Sequence, residues 1–322
     1  MSAKFDAVEA PEPGAKASPG SYAPRPASYA RRVLGLRRRL EYAALRGFAV
    51  AMRALPLEFG SCFCGWLWSA FAPHLSRQRR ADRHLAAMMP ELSAAERQRI
   101  LLAMWRNLGQ TFAEALQLDR IAAEPDRIEL DARCREIVRR TVAEGGIVAG
   151  AHLGNWEAGA APFAAAGGRH VGVYRSMTNP LVEAYFLKIR EPYYKGGLLA
   201  KGDGAARGLA RQARQGGPIL QMADLRDETG VPAPFFGRLA PSTPAPAMLA
   251  RRFGRPLFAV VIVRVATCRF RMQAVEIEVP RSGDRAADIR NATAKIQSTF
   301  EGWIRRWPEQ WMWARNRYEY DK

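Results

Sequence analysis

Apolar and polar positions change period part-way along the chain. In "ELSAAERQRILLAMWRNLGQTFAEALQL", residues Leu101, Met104, Trp105, Leu108, Phe112 and Leu116 recur at helical spacing. Ser93 and Glu96 open that stretch as a capping box, which predicts a core-facing helix. Further on, "GGIVAGAHL" is a short apolar run after a glycine pair, the pattern of a buried strand. "RHVGVYR" (169–175), "PILQMAD" (218–224), "PLFAVVIVRV" and "RFRMQAVEIEV" predict four more strands. Helices are expected between them. One begins at Asn179-Pro180, with Asn as cap and Pro in the first turn. Another is "DGAARGLARQARQGG", with a glycine stop. After a long loop, "STPAPAMLARRFG" reads as a helix capped by Ser242. Asp284 caps a final helix carrying Ile289, Ile296, Phe300, Trp303 and Ile304, and Pro308 ends it. Strands alternating with helices predict an α/β fold with a mixed, largely parallel sheet flanked by helices. No internal repeat is visible.

The first quarter of the chain has a different character. Residues 1–28 mix Pro, Ala, Gly and charges without an apolar run, which predicts a disordered tail and no secretory signal. Residues 29–75 read as a membrane-associating helical segment. In 31–55, seven arginines alternate with Val33, Leu34, Leu36, Leu40, Tyr42, Leu45 and Val50, the pattern of a basic amphipathic helix that Pro56 limits. "LEFGSCFCGWLWSAFAP" (57–73) is uncharged from Phe59 to Pro73, shorter than the roughly 20 residues of a spanning helix. Its five aromatic residues suit an interfacial position, and a buried core helix is the competing reading. "SRQRRADRH" (76–84) reads as a basic turn. Residues 76–322 form the α/β domain on this reading.

Charge narrows the partners. With 49 Lys and Arg against 31 Asp and Glu, the 322-residue chain carries a formal charge of +18. Nucleic acid, an anionic membrane or an acidic protein or substrate could each answer that excess. No helix-turn-helix, aromatic RNP strand or cysteine–histidine finger is visible, which argues against nucleic acid. Cys62, Cys64, Cys134 and Cys268 make no C-x-x-C pair and no zinc spacing, so free thiols and no metal site are expected.

The candidate chemistry lies in "AHLGNWEAGA" (151–160). His152 follows an apolar strand, and ligands of open α/β sheets bind beyond the carboxyl ends of strands. Gly154, Asn155 and Trp156 allow a tight turn, after which Glu157 would face back toward His152. A neutral imidazole can take a proton from a hydroxyl, and a carboxylate on its other nitrogen fixes the tautomer. With no G-x-S-x-G nucleophile, direct attack by a substrate hydroxyl fits better than a covalent acyl-enzyme. Alone, the His-x-x-x-x-Glu spacing is a weak signal, because a lone histidine near a strand end is more often a structural residue.

"AHLGNWE" resembles the active-site block of the bacterial lipid A biosynthesis acyltransferases, the late lauroyl and myristoyl transferases within the wider lysophospholipid acyltransferase group. The likeness continues in order through "YRSMTNPLVE", Arg190, "QGGPILQMAD" ending in Asp224, "VPAPFFGRLAPSTPAPAMLARRFGRPL" and "PEQWMWARNRY", covering about residues 32–320. Two positions depart from the pattern: Leu225 replaces a glutamine, and Ala314 a histidine. The resemblance implies transfer of an acyl chain from an acyl carrier protein thioester to a hydroxyl of a lipid A precursor, a secondary acylation. His152 would be the general base and Glu157 its orienter. Arg175 would meet the oxyanion or a lipid phosphate, and Asp224 would anchor Arg175 or shape the site. Arg190 and Asn155 complete the substrate-binding set, although Asn155 and Trp156 are more simply read as builders of the turn. Implied partners are the acidic carrier protein, an anionic glycolipid acceptor and the cytoplasmic face of the inner membrane, with no metal or organic cofactor. Another glycolipid or a lysophospholipid as acceptor, or thioester hydrolysis by the same pair, are the alternatives.

Overall fold

The structure, a computed structural model, describes residues 35–315, 317 and 318. The expected tail, 1–28, and the first residues of the basic segment lie outside the described residues. The chain begins with helices α1 (Leu36–Ala54), α2 (Leu57–Phe71), α3 (Ser76–Met88), α4 (Ala94–Ala115) and α5 (Leu118–Ala122). Then follow β1 (Ile128–Glu129), α6 (Ala132–Glu144), β2 (Ile147–Gly154), α7 (Ala161–Ala165), β3 (Val171–Tyr174), α8 (Pro180–Arg190) and β4 (Gly197–Ala200). The remainder is α9 (Asp203–Arg214), β5 (Ile219–Met222), β6 (Arg226–Phe235), β7 (Arg238–Ser242), α10 (Ala245–Phe253), β8 (Leu257–Ala266), β9 (Arg269–Ile277) and α11 (Arg285–Arg306).

Seven strands form one sheet in the order β1-β9-β8-β2-β5-β3-β4. All neighbours run parallel except the β8–β9 pair. The mixed, largely parallel α/β architecture is therefore as expected from the sequence. Strand β2 sits in the middle of the sheet and is buried on both faces. Its Ile147, Ala149, Ala151 and Leu153 join one core layer with Phe300, Ile304 and Trp311, while Val148 joins the other with Phe163, Phe258 and Ile262. That split is the period-two alternation of a strand sandwiched between helices.

The caps at Ser93, Asn179 and Asp284 form as expected. Three local readings are corrected. Residues 76–84 are helical, because Ala81, His84, Leu85 and Met88 form a buried stripe at helical spacing. The loop after β5 contains an antiparallel ribbon, β6–β7, whose Pro232, Pro234 and Pro241 disguise it; a two-stranded ribbon tolerates proline because each strand has an unpaired edge. Ser242 ends β7 instead of capping α10. Its hydroxyl donates to the Ala240 carbonyl and accepts from Arg317, so it is not free to cap.

Among the described residues no helix is long and apolar enough to cross a membrane. Helix α2 instead packs along α4, burying Gly60, Ser61, Cys64 and Gly65. Close approach needs the small residues: a Cβ on Gly109 of α4 would stand 2.5 Å from the Cys64 carbonyl. The opposite face of α2 leaves Phe59, Phe63, Trp66 and Phe71 exposed.

Candidate active site

The site forms where β2 and β5 end side by side. Their parallel register pairs Gly150 with Met222, and the Ala223 N–H donates to the Gly150 carbonyl. Two residues further on, His152 faces Asp224. The Asp224 carboxylate accepts the His152 backbone N–H at 2.8 Å and lies 2.7 Å from ring Nδ1. It also accepts the Trp311 indole N–H at 2.8 Å. Asp224 is fully buried. Burial alone would raise its carboxyl, but the adjacent His152 ring and the hydrogen bonds from His152 and Trp311 outweigh it and hold the carboxyl below its usual range. An ionised carboxylate can only accept, so Nδ1 carries the proton of a neutral His152 ring and Nε2 is left with its lone pair. The His152 side chain is 17% exposed, and the edge of Trp156 packs at 5.2 Å between centroids. This geometry leaves Nε2 facing away from the Asp224 carboxylate, with the neutral ring held in one tautomer.

On its other side β2 meets β8 irregularly: the pairing advances four positions along β2, from Gly150 to Gly154, for two along β8, from Val260 to Ile262. The extra residues bulge and re-aim the chain at His152. Gly154 ends the bulge with φ of +62°, and a Cβ there would lie 2.0 Å from the Ile262 carbonyl. Only glycine fits this position. Its carbonyl accepts from Asn107 and Thr111, both at 3.1 Å.

Asn155 is fully buried beneath the turn. Its amide donates to Glu114 at 2.8 Å and its oxygen caps the Ala158 N–H. Glu114, also fully buried, forms a two-bond ion pair with Arg264 at 2.5 and 2.8 Å and accepts from Ser61 on α2. Two charges out of water are tolerated because nearly every lone pair is used. The network ties α2, α4, β8 and the turn after β2 into one rigid support for His152. Asn155 is therefore a turn builder and not a substrate contact.

Glu157 lies in the 3-10 turn Trp156–Ala160. Its carboxylate pairs with Arg190, at the end of α8, through two bonds of 2.8 and 2.6 Å, and takes the Trp156 indole N–H at 3.2 Å. Burial pushes the Glu157 carboxyl up, and Arg190, Trp156 and the His152 ring together bring it below its usual value. The expected hydrogen bond from the His152 ring to Glu157 is thus replaced. Asp224 takes the ring nitrogen, because its strand runs beside β2 in register, while the 3-10 turn directs Glu157 to α8. Arg190 is correspondingly an internal partner of Glu157 and not a free substrate ligand. Arg175 follows the end of β3 and is exposed. It is not anchored by Asp224, whose oxygens are taken by His152 and Trp311.

Sequence reasoning did not find Glu114 or Trp311. Asn107, Thr111 and Glu114 fall at i, i+4 and i+7 beside the apolar stripe of α4, which was the available signal. Trp311 had none beyond its place in the closing motif. Among the described residues no cluster of His, Cys, Asp and Glu could hold a metal ion.

Residues 30–319 match the family described as bacterial lipid A biosynthesis acyltransferase. The chain belongs to this family. It is an acyltransferase of lipid A biosynthesis, and the match spans all of the elements described above. A comparison with curated proteins gives no match. Within the acyltransferase, the motif His-Leu-Gly-Asn-Trp-Glu now reads by function of each side chain: His152 exposes a nitrogen, Gly154 permits the bend, Asn155 fastens it, and Glu157 secures α8.

Proposed function

We propose that this acyltransferase moves a fatty acyl chain from an acyl carrier protein thioester to a hydroxyl on an acyl chain already carried by a lipid A precursor. The observation that carries the reading is the 2.7 Å contact between His152 Nδ1 and the buried Asp224 carboxylate. It leaves Nε2 as the base. The acceptor hydroxyl gives its proton to Nε2 as its oxygen attacks the thioester carbonyl, forming the C–O bond. The tetrahedral intermediate collapses and the C–S bond breaks. The imidazolium returns the proton to the departing sulfur, giving the free carrier thiol. Asp224 stabilises the imidazolium between the two transfers. No acyl-enzyme is formed.

The proposed setting is the cytoplasmic face of the inner membrane. Support comes from the unpartnered apolar face of α1 and α2, where Leu36, Leu40, Phe59, Phe63, Trp66 and Phe71 are exposed. Arg37 and Arg46 on α1 suit anionic headgroups beside them. The excess positive charge suits an acidic carrier protein.

The test is acyl transfer in detergent micelles, with acyl carrier protein thioester and a tetra-acylated lipid A precursor. Wild type should add one acyl chain to the lipid, and His152→Ala should not. Thioester loss without a new lipid would indicate hydrolysis or another acceptor, and unchanged transfer by His152→Ala would end the mechanism.

A further inference from the structure

Arg317, in the closing segment, is a fully buried guanidinium whose hydrogen-bond partners are all neutral. Nη1 donates to the Pro241 carbonyl at 2.6 Å. Nη2 donates to the Ser242 hydroxyl at 2.6 Å and to the Gln297 amide oxygen at 2.8 Å. Arg127, Arg190 and Arg264, which are also largely buried, each pair with a glutamate. Among the described residues Arg317 has no such pair. A buried cation without a direct counter-ion is costly, and a neutral side chain would serve packing alone.

Two short routes lead from Arg317 to Asp224. The first is a hydrogen-bond relay. A guanidinium only donates, so Gln297 must turn its amide oxygen to Arg317 and its Nε2 the other way. That Nε2, on α11, donates to the Ala223 carbonyl at 2.9 Å, one residue before Asp224. The second route is aromatic. The guanidinium lies over the Phe235 ring, 4.8 Å from its centroid, and Phe235 packs edge-on against Trp311 at 5.9 Å. The Trp311 indole then donates to Asp224 at 2.8 Å. Both routes end on what fixes the Asp224 carboxylate, its own strand end and its indole donor.

The charge of Arg317 fits the same purpose. Asp224 and Arg317 are opposite charges, both fully buried, with Gln297, Phe235 and Trp311 linking them. A direct ion pair would occupy an Asp224 oxygen that His152 or Trp311 uses. A cation held further back favours the ionised carboxylate and leaves both oxygens to their donors. Burial lowers the Arg317 guanidinium to about 10, and the first influence opposing burial is Asp224. The other charges near the pair are Glu157, which bears on the His152 ring, and Arg190, which pairs with Glu157.

We propose that Arg317 is a positioning residue of the acyl-transfer site: through Gln297 and the Phe235–Trp311 pair it fixes the Asp224 carboxylate against the His152 ring, and it is the buried counter-charge of that carboxylate. The inference rests on the acyl-transfer reading and adds a further layer behind the base. Being fully buried, Arg317 acts through Asp224 and does not meet the substrate.

The experiment follows His152 in two ways, using the full chain in detergent micelles. NMR of isotopically labelled histidine rings gives the titration midpoint of His152, with His152→Ala assigning its signals. Acyl transfer from the carrier-protein thioester gives kcat and KM across pH. Arg317→Gln removes the cation, which favours protonation nearby. The His152 midpoint and the acid limb of kcat/KM should both rise by about 0.5 in pH or more. Its kcat should fall about tenfold or more, with both KM values little changed. Arg317→Lys keeps the charge and should restore the wild-type midpoint and part of kcat. Gln297→Met cuts the relay but keeps the charge, so kcat should fall while the midpoint stays; it carries the test if Arg317→Gln does not fold. An unmoved midpoint in folded Arg317→Gln, an equal rise in Arg317→Lys, or wild-type kcat in Gln297→Met would each overturn the proposal. If wild type transfers no acyl chain and the midpoints still move as described, the role of Arg317 stands and the proposed reaction falls.

Discussion

His152 Nδ1 and Asp224 Oδ1 are 2.7 Å apart across 72 residues of sequence. Parallel pairing of β2 with β5 sets that distance, and the second Asp224 oxygen fixes the backbone of the same histidine. Removing the charge while keeping the shape separates orientation from packing. Asp224→Asn should lower the single-turnover rate of acyl transfer by roughly 10³–10⁴-fold, because the amide can present N–H to Nδ1 and favour the wrong tautomer. KM for the acceptor should move little. A loss under tenfold in a variant with an unaltered circular dichroism spectrum would show that the carboxylate does not serve the base.

Glu157 is expected to behave differently. It and Arg190 are each mostly buried, at 16% and 18% side-chain exposure, and bind each other twice. Glu157→Gln leaves the Arg190 charge without its partner and should cost about 3 kcal/mol of stability. Adding Arg190→Met should recover part of that loss. Urea unfolding of the two single variants and the double variant measures the coupling. If Glu157→Gln were as stable as wild type and still lost transfer 10³-fold, Glu157 would be acting on the chemistry directly.

Gly154 is constrained twice, by φ of +62° and by the Ile262 carbonyl 2.0 Å from any Cβ. Gly154→Ala should cost at least about 2 kcal/mol through backbone strain and displacement of β8. For a chain of this size that corresponds to a Tm lowered by roughly 3 °C in a thermal melt. An unchanged Tm would mean that the bend after His152 relaxes freely, and the rigid support argued for the base would be lost.

The sheet was legible in the sequence wherever a run was apolar enough to be buried on both faces. "GGIVAGAHL" and "PLFAVVIVRV" stand out because β2 and β8 lie at the centre of the sheet. Strands β1 and β4, at the two edges, and β6–β7 escaped, being short or proline-rich. The position of His152 was readable as a strand end. Its partner was not, since the five-residue spacing to Glu157 suggests proximity while the decisive neighbour comes through strand order. Sequence distance cannot reveal that β5, and not the turn after β2, lies against ring Nδ1. Charge misled in the same way at 76–84, where arginines obscured the buried stripe of α3.

Buried His170 offers a stability switch away from the site. It is fully buried, with the rings of Tyr194 and Phe163 packed edge-on at 5.0 and 6.2 Å. Burial pushes its imidazole down from 6.5 to about 4. Above pH 6.5 the ring is neutral whether the chain is folded or not, and it adds no pH dependence. Between 6.5 and 4 the unfolded chain takes up a proton that the folded protein refuses, so stability must fall as the pH falls. Below 4 both states are protonated and the loss levels off. A gap of about 2.5 in pH corresponds to roughly 3 kcal/mol. His84 is lowered by burial in the same direction, so the acid sensitivity of wild type contains both contributions. The comparison that isolates His170 is urea unfolding of wild type and His170→Leu at pH 7 and at pH 4.5. Whatever gap separates the two proteins at pH 7 should shift by roughly 2–3 kcal/mol in favour of the variant at pH 4.5. A difference that does not change with pH would mean that the folded protein admits the proton at that position.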